Sequence, residues 1–314
     1  MMPWLKEGGG TRMKHNRLGN SELYVSEIGL GCMSLGTDKE KAIALVHEAI
    51  DGGINFLDTA DLYDEGLNEE IVGEAIRGRR SAIILATKVG NRWEPGKEGW
   101  TWDPSKAYIK SAVKDSLRRL QTDYIDLYQL HGGTLNDPIP ETIEAFEELK
   151  QEGLIRYYGI SSIRPNVIRE YAERSNIVSV MSQYSILDRR PEEEVLPLLA
   201  EKGISLIARG PVAKGILTGN GAAKAEKGYL DYSKEELSAL RDALLRAGGG
   251  SSDMAHTAIR YALANPAVAS VIPGASSAAQ LLHNIDAGRA QALTSNELEA
   301  IRSLSRSNRY EQHR

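Results

Sequence analysis

The sequence predicts a single (β/α)8 barrel, and two observations favour this fold. First, eight short β-rich runs alternate with amphipathic helical runs along the chain, a repetition typical of α/β folds with a parallel sheet. Second, the chain has no dinucleotide-binding fingerprint, because the motif that begins Gly29-Leu30-Gly31 has Ser34 at its sixth position. A doubly wound open sheet shows the same alternation, so periodicity alone leaves it open. The count of eight favours the barrel.

Several predicted strands are nearly continuous apolar runs, as expected of parallel strands that are covered on both faces. They span residues 27–31, 54–59, 82–88, 124–131, 155–161, 178–184, 205–210 and 268–273. Between them, apolar residues recur at helical spacing. The predicted helices include residues 39–51, 105–120, 140–151, 191–202 and 234–246.

Two segments interrupt the alternation. Residues 17–25 precede the first strand and are typical of a β-hairpin, which we expect to lie at the barrel bottom. Residues 219–252 follow the seventh strand and are long and polar. Residues 1–13 contain a Gly-Gly-Gly run and are predicted to be a disordered leader or an expression remnant, which assigns residues 14–314 to the barrel.

Composition excludes several classes of protein. The chain has 314 residues, a formal charge of −5 and 41% hydrophobic residues, which is ordinary for a globular protein. The acidic balance argues against a nucleic-acid partner, and no apolar run is long enough for a membrane span. With a single cysteine, Cys32, no internal disulfide can form. We expect a cytoplasmic protein with a small-molecule partner and favour a monomer, although the sequence leaves the oligomeric state open.

Titratable residues stand at the ends of three neighbouring predicted strands. Asp58 ends the second strand with Tyr63 in the following loop, Lys88 ends the third, and His131 ends the fourth. Taken singly, a strand-end Asp is often a helix cap, a Lys is often solvated and a His is often structural. Buried Asp and Lys are nevertheless rare unless they are paired. Since active groups of barrels lie at the carboxyl ends of strands, we expect these four side chains to form one site.

This set of residues suits the reduction of a carbonyl group. A phenol is a poor acid near neutral pH unless its anion is stabilised, and a nearby ammonium provides that stabilisation. Asp58 would hold Lys88 charged and in place. Tyr63 could then donate a proton to a developing alkoxide, and neutral His131 could donate a hydrogen bond to the same oxygen.

No metal site is expected from the sequence. The histidines other than His131 lie at positions 15, 47, 256, 283 and 313, and this scattered arrangement matches no metal-binding motif. The pair His47-Glu48 lacks the second histidine that a zinc protease needs. Cys32 stands near the end of the first strand, where a nucleophile could lie, but a small apolar residue lining the barrel is the favoured interpretation.

From Arg17 to about Asn284, the sequence resembles the aldo-keto reductases. The resemblance rests on the following motifs: residues 55–60 with Tyr63, Thr87-Lys88, residues 116–120, residues 123–127 leading to His131, and Ile272-Pro273-Gly274. It implies that Asp58, Tyr63, Lys88 and His131 are the catalytic tetrad, with Tyr63 as the general acid. It also implies NADP(H) bound in an extended pose across the barrel mouth, with NAD(H) as the alternative.

The resemblance further implies a set of cofactor-binding residues. They are Gly31, Cys32, Met33, Asp58, Ser161, Ser162, Gln183, Arg209, Gly210, Pro211, Val212, Lys214, Gly215, Gly274, Ser276, Gln280 and Asn284. Three positions depart from the family pattern. Ser162 stands where most members have Asn, Arg209 where an aromatic ring usually stacks on the nicotinamide, and no Arg or Lys lies near Ser276 to grip the 2′-phosphate.

Three tryptophans, Trp93, Trp100 and Trp102, lie in the loop after the third strand. They predict an aromatic wall for the substrate, although aromatic anchors that pin the loop to the barrel would explain them equally well. Gly132 and Gly133 follow His131 where the family often carries bulkier residues, which predicts a wider space beside His131.

Two other functions stay open at this point. A regulatory NADP(H)-binding protein, similar to channel beta subunits and with little or no turnover, would account for the unusual Ser162, Arg209 and Ser276. A metal-dependent barrel hydrolase is the third possibility. Turnover of an aldehyde panel would exclude the regulator, and metal analysis of the purified protein would test the hydrolase.

Overall fold

The structure is a computed structural model that describes residues 13–94, 96–247 and 253–314. Its strands, in chain order, are β1 (His15–Arg17), β2 (Tyr24–Ser26), β3 (Leu30–Gly31), β4 (Phe56–Asp58), β5 (Ile84–Val89), β6 (Asn91–Arg92), β7 (Thr101–Trp102), β8 (Ile125–Leu130), β9 (Ile155–Ser161), β10 (Ser179–Gln183), β11 (Ser205–Arg209) and β12 (Val268–Ile272). Its helices are α1 (Lys39–Asp51), α2 (Leu67–Ala75), α3 (Lys106–Leu120), α4 (Ile139–Gln151), α5 (Pro165–Arg174), α6 (Val195–Lys202), α7 (Ala222–Ala225), α8 (Lys234–Ala247), α9 (Met254–Leu263), α10 (Ala278–Arg289) and α11 (Ser295–Leu304).

Eight of these strands form one parallel sheet that closes on itself. The order is β3-β4-β5-β8-β9-β10-β11-β12. Parallel bridges from Ile28 to Val271 and from Gly31 to Gly274 join the first strand to the last. Each predicted strand overlaps one of the eight, with β5 running one residue beyond its predicted end, and helices lie between them along the chain. The predicted single-domain (β/α)8 barrel is therefore confirmed.

The predicted hairpin is also confirmed. β1 and β2 pair antiparallel, with Asn16 opposite Val25, and the connecting turn packs against the amino-terminal ends of barrel strands. The Gly19 amide donates to the Ser205 hydroxyl at 2.8 Å at the start of β11. Leu18, Leu23 and Val25 share an apolar cluster with interior barrel residues such as Phe56, so the hairpin fills the bottom of the barrel.

A larger apolar cluster lies between the strands and the surrounding helices. Tyr128 on β8, Phe146 on α4 and Tyr158 on β9 are buried there, with the rings of Phe146 and Tyr158 stacked at a centroid distance of 5.2 Å. Burial of such rings on the helix-facing side of the strands holds the helical layer in place. Among the described residues, no helix combines the length and apolar character needed to cross a bilayer.

Two segments differ in detail from the sequence analysis. The predicted helix 191–202 begins later, because Arg190–Glu192 forms a separate 3-10 turn ahead of α6. Met13, assigned to the leader, is buried, and its side chain approaches Gly288. The remainder of the leader, residues 1–12, lies outside the described residues, as do residues 248–252 of the long segment after β11.

Candidate active site

Three adjacent strands deliver four polar side chains to the carboxyl end of the barrel. Asp58 is the last residue of β4, Lys88 lies near the end of β5, and His131 directly follows β8. Tyr63 opens the 3-10 turn Tyr63–Gly66 after β4. The structure thus brings together all four residues that the sequence grouped.

The Lys88 ammonium is the centre of this arrangement. Its Nζ donates to Asp58 Oδ2 at 2.7 Å, to the Thr59 carbonyl at 2.7 Å and to the Tyr63 hydroxyl at 3.2 Å. An ammonium has three donors and no acceptor, so these contacts use all of its hydrogens. The Tyr63 oxygen therefore accepts from Lys88, and its own proton is left to be donated elsewhere.

Asp58 and Lys88 are both buried, so the charge of each has to be balanced by the other. The Lys88 side chain is only 1% exposed, and Gln129 donates to the second Asp58 oxygen at 3.1 Å. Desolvation raises the pKa of Asp58, an effect that Lys88 and Gln129 oppose. Desolvation also opposes the charge on Lys88, but Asp58 and Tyr63 together outweigh it, so the pKa of Lys88 is raised. Lys88 therefore stays cationic at neutral pH.

His131 completes the group as a neutral imidazole. Burial, followed by the positive charges of Lys88 and Arg209, lowers the pKa of His131 to about 3. Its ring meets the Tyr63 ring edge-on, with centroids 5.9 Å apart. A neutral imidazole retains one N–H donor. The phenol and the imidazole can therefore both donate hydrogen bonds to an oxygen held between them.

A second buried ion pair lies behind these residues. Thr87 donates to Glu69 Oε1 at 2.6 Å and Arg119 donates to Glu69 Oε2 at 2.7 Å, with Glu69 on α2 fully buried. The pair fixes the residue that precedes Lys88. Sequence reasoning missed this pair, although Arg119 lies within the motif of residues 116–120 that supports the family resemblance.

Several of the predicted cofactor-binding residues lie at the ends of β9, β10 and β11. The side-chain oxygen of Gln183 accepts from Arg209 at 3.2 Å, and its side-chain NH2 group donates to the Tyr229 hydroxyl at 2.7 Å. Ser161 ends β9, and Ser162 Oγ accepts from the Arg164 amide at 3.2 Å. Tyr229 escaped the sequence analysis because it comes from the long segment after β11.

The loop after β11, which contains the predicted cofactor-binding residues from Gly210 to Gly215, uses several of its backbone amides internally. The Ala213 amide donates to the Gly210 carbonyl and the Gly215 amide to the Val212 carbonyl, at 3.0 and 2.8 Å. Pro211 is buried, whereas Lys214 is exposed and takes a left-handed backbone conformation at φ 56°. In this conformation the loop offers a phosphate the Lys214 side chain rather than a ring of free amides.

The amino-terminal end of α10 is similarly self-bonded. The Ser276 amide and hydroxyl both donate to Gln280 Oε1, at 2.9 and 3.0 Å. The Ser277 hydroxyl caps the helix by accepting from the Gln280 amide. Asn284 donates to the carbonyl of Gly274 at 3.3 Å. This end of the cleft is exposed, and its donors would have to exchange partners to bind a phosphate.

The first strand meets the last at the same mouth. The Gly31 amide approaches the Pro273 carbonyl at 3.4 Å. Cys32 is fully buried, and burial raises the pKa of its thiol, which fits the apolar interpretation rather than a nucleophile. Met33 is 65% exposed on the rim.

The three loop tryptophans occupy different environments. Trp93 donates its indole N–H to the Asp61 carbonyl at 2.8 Å, and Trp102 donates to Asp137 at 3.0 Å, as anchors would. Trp100 is 55% exposed. The expected wide space beside His131 is filled, because a Cβ added at Gly132 would lie 3.2 Å from the Trp102 ring. Trp102 thus takes the room that Gly132 leaves.

An eight-stranded barrel with this acid–base cluster at the carboxyl ends of its strands belongs to the enzyme class of barrel oxidoreductases. Comparison with known proteins agrees. The model of the Aldo/keto reductase family matches residues 27–306, and the chain belongs to that family.

Relatives and solved structures place the chain more closely within the family. The chain is 62% identical over 307 residues to the uncharacterized oxidoreductase YqkF of Bacillus subtilis (strain 168), covering 96% of this chain and 100% of the relative. It is 32% identical to L-galactose dehydrogenase of Arabidopsis thaliana, with 88% of each covered. The holo form of aldo-keto reductase AKR11C1 from Bacillus halodurans is 61% identical, with a TM-score of 0.93 over 96% of this chain and 99% of that structure.

Aldo-keto reductases bind nicotinamide cofactors, and the mouth fits such a group in two respects. Within the described residues, two buried polar atoms of the active-site group, Gln129 Oε1 beside Asp58 and Nδ1 of His131, have no hydrogen-bond partner. Cationic side chains, Arg209 and Lys214, lie further along the same edge. These groups suit the amide and phosphate ends of a dinucleotide.

Proposed function

We propose that this aldo-keto reductase reduces an aldehyde or a ketone to an alcohol with NADPH, and that Tyr63 is the general acid. The observation that carries the proposal is the bonding of Lys88 Nζ to both Asp58 and the Tyr63 hydroxyl. Because Lys88 stays cationic, it stabilises the phenolate that forms when Tyr63 gives up its proton.

Each of the four side chains has a separate task in this mechanism. Asp58 holds the Lys88 ammonium in position and compensates its charge. Neutral His131 donates a hydrogen bond to the carbonyl oxygen and orients it toward Tyr63. Tyr63 transfers its proton to that oxygen as negative charge develops there. The bound cofactor supplies the hydride.

We propose NADP(H) rather than NAD(H) as the cofactor. The α10 amino terminus with Ser276, Ser277 and Gln280 supplies hydroxyl donors and a favourable helix dipole for the 2′-phosphate, and the exposed Lys214 supplies a cation for the pyrophosphate. The remaining predicted cofactor residues line the ends of the strands between them. The partner that reacts is a small carbonyl compound, and the exposed ring of Trp100 is available to contact it.

The decisive experiment compares the parent with Tyr63→Phe, which removes only the hydroxyl. With NADPH and 4-nitrobenzaldehyde or methylglyoxal, we expect kcat/KM of the variant to fall by about 10²–10⁴-fold. NADPH binding, measured by fluorescence titration, should be unchanged. A Tyr63→Phe variant as active as the parent would refute the assigned role.

A panel of carbonyl compounds assayed with NADPH and with NADH tests the cofactor assignment. We expect a higher kcat/KM with NADPH. Faster turnover with NADH would overturn the preference, while tight NADPH binding without turnover of any compound would point to the regulatory alternative.

A further inference from the structure

A cluster of three potential metal ligands joins α9 to α10, outside the Asp58–Tyr63–Lys88–His131 group. Asp253 is the N-cap of α9, His256 lies in the first turn of that helix, and His283 lies on α10. One donor atom from each residue lies within 4.8 Å of the other two. The sequence analysis treated these histidines as scattered, and 27 positions separate them along the chain, but the packing of α9 against α10 brings their rings to a centroid distance of 4.7 Å.

The donor set suits a transition-metal cation. Two imidazoles and one carboxylate are ligands that zinc accepts, with bonds of about 2.0–2.2 Å. His283 Nε2 already lies 2.9 Å from Asp253 Oδ1. His256 Nε2 is buried and has no hydrogen-bond partner within the described part of the chain, so a polar atom in this cluster lacks the contact that buried groups normally make.

Backbone amides at the start of α9 fix the position of the Asp253 carboxylate. Asp253 Oδ1 accepts from the Ala255 amide at 2.8 Å and from the His256 amide at 3.4 Å. These two contacts and the contact with His283 all engage Oδ1.

Only modest movement is needed to close the site. In a tetrahedral zinc site the donor atoms are about 3.3 Å apart, as follows from the bond lengths. His283 is partly exposed, with 41% of its side chain accessible. The three donor atoms already lie within 4.8 Å of one another, so each donor–donor distance has to shorten by about 1.5 Å at most to reach the tetrahedral spacing.

We propose that Asp253, His256 and His283 form a binding site for a divalent transition-metal cation of the zinc type. Three protein ligands leave at least one coordination position for water. The bound cation would link the first turn of α9 to α10, and it requires neither the cofactor nor the proposed reduction. Without a cation, the His283–Asp253 contact is a hydrogen bond between two helices, and the experiment below separates these two roles.

The test uses the full chain without a histidine tag, titrated with Zn²⁺ by calorimetry. We expect one equivalent to bind, and we expect His256→Ala and His283→Ala each to weaken binding by at least about tenfold. Asp253→Asn keeps an effective N-cap and should also weaken binding because it removes the charge. His313→Ala is the matched control, since it removes a histidine outside the cluster, and it should bind as the parent does.

Two further measurements check that the variants fold and which side chains bind the cation. Circular dichroism confirms that each variant folds. Co²⁺ loaded in place of Zn²⁺ should give visible d–d bands without a thiolate charge-transfer band, because Cys32 is buried elsewhere. The proposal is overturned if Zn²⁺ does not saturate at one equivalent, if His256→Ala and His283→Ala bind as the parent does, or if the Co²⁺ spectrum shows a thiolate ligand.

Discussion

At the barrel mouth, polar groups on the β4–β5–β8 side and on the β11–α10 side find their hydrogen-bond partners in opposite ways. On the first side, Lys88, Asp58 and Glu69 are buried and bonded to side chains and carbonyls from neighbouring strands and helices. On the second side, Ser276 and Gln280 are exposed and bonded chiefly to each other.

The difference teaches which part of the site is organised before any ligand arrives. The acid–base groups are held by strands and buried ion pairs, so their geometry carries no reorganisation cost during the reaction. The groups predicted to bind phosphate must exchange a bond within the protein for one to the ligand. Substitutions should therefore affect stability and chemistry strongly on the first side and affect binding mildly on the second.

The largest effect is expected for Lys88→Met. The change leaves Asp58 buried without its partner, so the free energy of unfolding should fall by about 3–5 kcal/mol, and reductase activity should be lost. Urea denaturation and the NADPH assay measure the two effects. The double variant Asp58→Asn with Lys88→Met should recover most of the stability but none of the activity. A single variant as stable as the parent would show that the pair is not tightly coupled.

A smaller effect is expected in the loop between β5 and α3. Trp102→Ala removes the ring that packs on Gly90 and Gly132 and the bond to Asp137, so unfolding should require about 2 kcal/mol less. Trp100→Ala is the matched comparison. Since Trp100 is exposed, it should leave stability within about 0.5 kcal/mol and change only KM. Equal effects of the two substitutions on stability would contradict the distinction between anchor and exposed ring.

The pH dependence of stability tests the burial of His131. In the folded chain its pKa is lowered to about 3 from an ordinary 6.5, so between these values the unfolded chain binds the additional proton. The free energy of unfolding should therefore fall as the pH drops through this window, by up to about 1.4 kcal/mol per unit from this residue. Urea denaturation of the parent and of His131→Gln at pH 7 and pH 5 isolates that contribution. An identical pH dependence in both would contradict a buried neutral imidazole.

The mildest effect concerns Arg209. A guanidinium beside the nicotinamide would repel the oxidised, cationic ring by about 1 kcal/mol or more, so the parent should prefer NADPH to NADP⁺ at least about fivefold more strongly than Arg209→Tyr does. Fluorescence and calorimetric titrations give the four dissociation constants. If the parent prefers NADPH over NADP⁺ no more strongly than Arg209→Tyr does, Arg209 does not lie beside the nicotinamide ring.

The acid–base residues could be predicted from the sequence because each of them stands at or just after the end of a recognisable strand. Asp58, Lys88 and His131 follow apolar runs, and parallel strands in a barrel present their carboxyl ends on one face. The role of each tryptophan could not be predicted, because the hydrogen bonds of Trp93 and Trp102 go to Asp61 and Asp137 in other loops. The same limit hid Tyr229 and the pair of Glu69 and Arg119.

The amino-acid sequence by itself determined the alternation of strands and helices and the hairpin below the barrel. It also determined which strand ends carry the acid–base residues. These features follow from hydrophobic periodicity and turn chemistry, which act over a few residues. Only the tertiary structure decided that Lys88 bonds to both Asp58 and Tyr63, that Trp102 fills the space over Gly132, and that His256 meets His283. Each of these contacts joins residues that are far apart in the sequence. It depends on how their helices, strands and loops pack together, which a pattern over a few residues does not specify.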